Sequence, residues 1–181
     1  MRLTLSLVAM LLASSAAVPD VPPAQRGTSA QATYVTLADI QATVNRSPQA
    51  GVNPQPNIRV VDAGGYNVAV GALHRPQTPS GVAAVHFKVT EIYHMIDGAG
   101  TLVTGGTMVN AKPRPPDSEA VKLEDGPGAS GTGIQGGVSH QIKAGDVVVI
   151  PAGVPHWFSE IQGSITYLVV RVDPTRVLAV K

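Results

Sequence analysis

The sequence predicts an all-β fold of antiparallel strands rolled into a small barrel, and three observations carry that prediction. From Ile58 onward apolar residues recur with a period of two, as they must when alternate side chains face a core. Gly, Pro, Asn and Asp punctuate those runs at short intervals. After the first quarter of the chain no apolar run has helical period and length, which excludes βαβ units and leaves an antiparallel sheet. Closure into a barrel disposes of exposed edges.

The elements follow in order. Met1-Arg2, the apolar run Leu3 to Leu12 and the small residues Ala13 to Ala17 form the charged start, apolar centre and cleavage region of a secretory signal, so residues 1–17 are expected to be removed. Residues 18–33, rich in Pro, Ala, Ser and Gln, carry too little apolar bulk to fold and are expected to form a flexible leader. The folded domain is then expected over 34–181. Thr36 with Asp39 three places on resembles a helix cap, and Leu37, Ile40 and Val44 share a helical face, predicting a short helix over 36–46 that Ser47-Pro48 ends. Asn53 to Pro56 is a turn-rich link.

Strands are predicted at 58–61 and 66–70 around a Gly64-Gly65 turn, then at 82–89, 91–96 and 101–109, broken by Asp97-Gly98 and Gly105-Gly106. Residues 110–133, with Pro113, Pro115, Pro116, Gly126, Pro127 and Gly128 among mixed charge, read as a long surface loop. Strand patterns resume at 138–142, 146–150, 156–161 and 164–172.

Composition narrows the function. The chain has 181 residues, 44% hydrophobic, which suits one domain with a real core. Loss of Arg2 with the signal leaves 12 basic against 12 acidic residues, from 13 and 12 in the full chain. A neutral protein with scattered basic residues excludes a nucleic-acid surface, and membrane attachment is not expected once the signal is gone. Without cysteine there is no lipid-anchoring thiol, no disulfide and no thiol nucleophile, and an exported protein of this kind is expected in a periplasm or secreted. Gly105-Gly106 and Gly136-Gly137 lack the Lys-Ser/Thr and helix of a phosphate loop, and no Gly-x-Ser-x-Gly elbow occurs.

The chemistry-bearing residues are His86 and Glu91, in the run Val85 to Tyr93, and His156, just past the apolar strand and Pro/Gly turn of Gly145 to Pro155. Two imidazoles and a carboxylate brought together by a rolled sheet make a metal site with open coordination positions. Strand alternation puts Ala84 and His86 on one face, and Glu91, Tyr93 and Met95 on one face of the next strand. A turn at Lys88-Val89 is then expected to set His86 and Glu91 opposite each other across a strand pair. His94 points to the other face, His140 is a reserve ligand, and His74 is a loop or rim residue. Tyr93 or Glu160 would move a proton; Tyr93, Met95, Trp157 and Phe158 are core residues or walls of a substrate cavity.

Gly145-x5-Pro151-x-Gly153-x2-His156 and His86-x4-Glu91-x6-Gly98 together, in this order, resemble the two signatures of the cupin superfamily over residues 84–160. The resemblance implies a jelly-roll barrel with a metal near its axis, ligated by His86, Glu91 and His156. Two departures stand out: the first histidine of the family's His-x-His is Ala84 here, and a position often Asn in the family is Glu160. A two-histidine, one-carboxylate set suits a divalent ion, with Fe(II) favoured and Mn, Ni or Zn as alternatives. The expected activity is that of a metal-dependent enzyme on a small organic molecule, by dioxygenase, isomerase or decarboxylase chemistry. The alternatives are a non-catalytic module that binds a sugar or other small ligand, and an assembly unit whose 110–133 loop is the contact surface. A homodimer is expected in each case.

Overall fold

A computed structural model describes residues 31–46, 56–77 and 81–181. The signal, most of the leader, the Ser47-Pro48 helix stop and the start of the 53–56 link lie outside the described residues. Helix α1 (Leu37–Arg46) begins where the cap predicts it. The Asp39 amide donates to Thr36 Oγ1 at 3.1 Å and the Thr36 amide donates to Asp39 Oδ2 at 3.1 Å, a reciprocal cap that satisfies amides the helix leaves unbonded. The helix lies against β1 and β2. Ile40 and Val44 are half-buried there, and Thr43 is the buried residue, while Leu37 is 67% exposed, so the buried face starts one turn later than expected. No helix among the described residues is long and apolar enough to cross a membrane.

Eleven strands follow: β1 (Asn57–Asp62), β2 (Asn67–Pro76), β3 (Ala83–His86), β4 (Thr90–Thr104), β5 (Thr107–Val109), β6 (Lys112–Pro113), β7 (Gly128–Gly131), β8 (Gly133–Gln135), β9 (Val138–Lys143), β10 (Val147–Ile150) and β11 (His156–Asp173). Every ladder between them is antiparallel. The predicted breaks at Asp97-Gly98 and at Gln162-Gly163 do not end strands. β4 and β11 each run through, paired from His156 with Thr104 to Val172 with Thr90, and bend at register shifts near Phe158, Gln162 and Thr166. Gly98 makes one bend possible, since its φ is +83° and a Cβ there would meet the Ser164 carbonyl oxygen at 2.0 Å.

Because those two long strands bend together, they belong to two facing sheets. One half takes the order β1, β2, the end of β11, the start of β4, then β10; the other takes β6, β7, β3, the start of β11, the end of β4, then β9. β5 and β8 form a separate two-stranded ribbon. This is a jelly-roll arrangement, and among the described residues the ladders do not join into a full ring. The expected 110–133 surface loop is also more structured than its composition suggested. It supplies β6 and β7, which extend the second sheet beside β3, and a single π-helical turn at Ala120–Glu124.

The main core fills the space between the sheets with Leu73, Tyr93, Met95, Leu102, Phe158, Ile161, Ile165, Tyr167 and Val169, among others. These are the inward positions of β2, β4 and β11, as the alternating burial of β11 shows. Burying each large side chain contributes about 1.5–3 kcal/mol, so this cluster is what presses the two sheets together and positions everything at its border.

Candidate metal centre

At one border of that core three polar side chains meet. His86 ends β3, His156 opens β11, and both belong to the second sheet; Glu91 stands on β4 where β4 belongs to the first. The carboxylate therefore reaches the imidazoles across the space between sheets. The expected β3–β4 hairpin does not form: residues 87–89 carry the chain from one sheet to the other, β3 pairs with β7 and β11, and β4 pairs with β9, β10 and β11. The Pro/Gly turn does what its sequence requires. Gly153 adopts a φ of +83° and its amide donates to the His86 carbonyl at 2.7 Å, tying the approach to His156 onto the end of β3.

His86 Nε2 and His156 Nε2 each lie 3.4 Å from Glu91 Oε2. One donor atom from each of the three residues lies within 4.8 Å of the others, and all three residues are buried. With metal–nitrogen and metal–oxygen distances of about 2.0–2.2 Å, tetrahedral donors stand about 3.4 Å apart. The donor set thus suits a divalent ion in chemistry, and both imidazole–carboxylate separations match that spacing. Ala84, directly across from His156 in the ladder, offers only a methyl group on this face and so no ligand atom.

The carboxylate is held by more than the histidines. Arg171 Nε donates to Glu91 Oε1 at 2.8 Å, Tyr93 donates its hydroxyl to Oε2 at 2.7 Å, and Arg171 Nη1 donates to Asn57 Oδ1 at 2.7 Å. Arg171 and Glu91 are both wholly shielded from solvent. Oε2 still has a second lone pair for a cation. Burial works to raise the Glu91 carboxyl, but attraction to His86 and Arg171, with the His86 hydrogen bond and His156, outweighs it and holds the group well below its ordinary value. Burial and then the Glu91 charge push Tyr93 well above its ordinary value, so its proton stays on the phenol as a donor. Burial pulls His156 from 6.5 down to about 4, with Glu91 working against the shift and His86 with it; the ring is neutral at pH 7. Its Nδ1 lies 3.3 Å from the Val154 carbonyl, which favours the proton there and the lone pair on Nε2.

These contacts place a sheet-borne His-Glu-His group inside a jelly roll, and a family comparison decides what it belongs to. The profile described as Cupin matches residues 48–176. This chain belongs to the cupin family. No curated protein matches the sequence. Among solved structures, it is similar to a Bacillus halodurans protein at 11% identity, covering 81% of this chain and 86% of that one with a TM-score of 0.44. It is also similar to hydroquinone 1,2-dioxygenase from Sphingomonas sp. TTNP3 at 15% identity, covering 74% of each chain, TM-score 0.43. The polyketide cyclase RemF from Streptomyces resistomycificus matches at 18% identity over 78% of this cupin and 80% of its own chain, TM-score 0.42.

Of the residues the sequence singled out, the cupin fold brings together His86, Glu91, His156 and Tyr93. Glu160 is not among them. It follows a register shift in β11, stands exposed on the outside and takes a 3.3 Å hydrogen bond from Thr101, so the proton-moving role expected of it has no geometry. His94 is exposed on the outer face, as alternation predicts. His140 is exposed too, 3.1 Å from Thr104 Oγ1, and offers no ligand to the cluster. His74 lies within β2, not in a loop, 2.9 Å from Thr166 Oγ1.

Three neighbours escaped the sequence reading. Arg171 could have been found, because it interrupts the inward apolar series of β11 with a charge that no buried position accepts unpaired. Asp125 had no such signal: it lies in the Pro/Gly-rich segment, yet it is fully buried, with Oδ2 3.8 Å from His86 Nδ1 and Oδ1 paired with Arg114. Arg75 completes the set. Its Nε donates to the Tyr167 hydroxyl at 2.7 Å and its guanidinium lies 5.5 Å from the Phe158 ring centroid and 5.8 Å from that of Tyr167. Tyr93 connects this wall to the cluster, 4.6 Å from Tyr167 and 6.1 Å from His156 between centroids.

Proposed function

We propose that this cupin is an exported, metal-dependent enzyme acting on a small organic anion, with His86, Glu91 and His156 holding one divalent ion. The observation that carries the proposal is the pair of 3.4 Å separations from the two imidazole Nε2 atoms to one carboxylate oxygen, in a buried setting where His156 is neutral and Glu91 ionised. A bound ion would supply Lewis acidity and, as the favoured Fe(II), an electron for dioxygen chemistry, with Mn, Ni or Zn as alternatives.

The chain's own groups have separate tasks. Arg171 and Tyr93 fix both carboxylate oxygens, so Glu91 meets a cation without rotating. Phe158, Tyr167 and Tyr93 give an apolar wall that excludes water from the centre. Charge selects the substrate class: Glu91 offsets Arg171 and Asp125 offsets Arg114, whereas Arg75 is in no ion pair among the described residues. Burial opposes its charge, and Tyr167, Tyr93 and Glu91 more than offset that, so it stays cationic. A divalent ion beside an already neutralised carboxylate adds further positive charge. An organic acid, its carboxylate on Arg75 or on the ion, balances both. The signal-like N-terminus supports export to a periplasm or the medium. Val147 and Val149, each 60% exposed on β10, with Ile96 at 43%, support pairing of two copies through the outer face of the first sheet.

The test is elemental analysis of purified protein: close to one transition metal per chain, lost in H86A and H156A, supports the proposal. A folded protein that takes up no divalent metal at micromolar concentration refutes it and leaves the second reading, a metal-free binding module, for which Arg75 is equally suited.

A further inference from the structure

The segment between β6 and β7 delivers a buried acid to the back of one candidate ligand, and nothing in the cluster itself accounts for it. Asp125 is wholly buried. Its position is set from two sides. Its own amide donates to the Ala120 carbonyl at 3.0 Å, closing the π-helical turn. Arg114 Nη1 donates to Oδ1. Arg114 is in turn anchored on β7, through Nε to Ser130 Oγ at 3.2 Å and through its amide to the Gly128 carbonyl at 2.9 Å. Since β7 pairs directly with β3, the whole assembly is registered against His86, with Gly128 facing His86 in the ladder.

Oδ2 of this carboxylate has no hydrogen-bond partner, and neither has His86 Nδ1; the two atoms lie 3.8 Å apart. A buried polar atom left unpaired is costly. Two such atoms facing each other are complementary only if Nδ1 carries the proton, and a small rotation of either side chain then brings them into bonding range. With Nδ1 turned to Asp125 and holding its proton there, Nε2 is the ring nitrogen left facing the centre for an ion.

We propose that Asp125 is a positioning residue for His86, holding the imidazole in the Nδ1-protonated tautomer so that Nε2 is free to ligate. This rests on the metal reading above, and it assigns a function to the 110–133 segment: Arg114 orients Asp125, and Asp125 orients His86. The consequence for an amide is specific. In D125N, Arg114 still requires an acceptor at Oδ1, so the amide nitrogen faces His86 Nδ1. That favours the opposite tautomer, in which Nε2 bears the proton and has no lone pair to give.

The test uses imidazole nitrogen NMR on the full chain, with His86 assigned from H86Q. In metal-free wild type His86 Nδ1 is expected to carry a proton that faces Asp125; in D125N Nδ1 is expected to be bare. Zn(II) competition is expected to show affinity about 10–100-fold weaker in D125N, with D125E recovering part of the loss because it keeps an acceptor. Wild-type protein with His86 Nδ1 unprotonated overturns the inference, as does a D125N protein that binds Zn(II) within twofold of wild type. Should D125N not fold, the wild-type tautomer decides alone. Failure of wild type to bind any metal sinks the metal reading, whereas the tautomer assignment stands or falls separately.

Discussion

Arg171→Met is the substitution whose cost follows most directly from the geometry. The methionine keeps the length and the inward packing of β11 but removes the cation that faces Glu91 Oε1 at 2.8 Å and Asn57 Oδ1 at 2.7 Å. What remains is a carboxylate with no solvent exposure and no cationic partner at contact, besides histidines of which one is neutral at pH 7. Breaking a buried pair by removing one partner costs about 3–5 kcal/mol, mostly the penalty of the stranded charge. Against a total stability of about 5–15 kcal/mol for a domain, that is severe. The penalty should disappear when the stranded charge goes too: R171M with Glu91→Leu is expected to be more stable than R171M alone by about 2 kcal/mol or more, a coupling far outside additivity. Urea unfolding of chelator-treated protein, followed by the fluorescence of the single Trp157, measures all four corners of the cycle. Zn(II) should stabilise R171M more than wild type, since the ion then replaces the missing cation beside Glu91. An R171M protein within about 1 kcal/mol of wild type, or singles that simply add, would show that Glu91 is not the charged, desolvated group described above.

Other expectations concern the surrounding groups. Tyr93→Phe removes the 2.7 Å donor to Glu91 Oε2 and is expected to cost about 1–3 kcal/mol in urea unfolding. Glu160→Gln, on the exposed outer face, should leave metal content and stability within about 0.5 kcal/mol of wild type; a marked loss of metal would restore it to the site. Arg75→Gln should abolish any calorimetric preference for small carboxylates such as benzoate over the neutral benzamide while leaving the metal content intact. Acid should destabilise the metal-free protein: His156 titrates at about 4 in the folded protein against an ordinary value of 6.5, so the unfolded chain takes the proton first and stability falls as pH drops from about 6.5 to about 4. That drop corresponds to at most about 3 kcal/mol. Glu91, held low, adds loss in the same direction below its ordinary value. In H156Q the fall between those pH values should shrink, and an unchanged curve would rule His156 out as its source.

Much of this molecule was legible in the chain because its signals were local. Period-two apolar runs marked β1, β9 and β10 nearly to the residue and the first part of β2, which continues to Pro76, and the Thr36–Asp39 cap marked the helix. His86, Glu91 and His156 were visible through spacing on strands whose faces alternate. What stayed hidden depended on how the sheets fold back on each other. The turn at 87–89 reads like a hairpin, yet it passes between sheets, because β3 finds its partners in β7 and β11. Gly98 and Gly163 read as strand ends, whereas they let two long strands bend as one ladder. Asp125 was the hardest to see: its segment has no periodicity, and its burial comes from β6 and β7 adding to the edge beside β3. Arg171 was legible in principle, as a charge breaking the apolar series of an inward face.

One cation is expected among His86 Nε2, His156 Nε2 and Glu91 Oε2. Anomalous diffraction from crystals of the metal-loaded protein tests it in a single measurement. One strong peak is expected between the two sheets, about 2.0–2.2 Å from each of those three atoms. A peak elsewhere, or none at a wavelength where the loaded metal scatters, contradicts it.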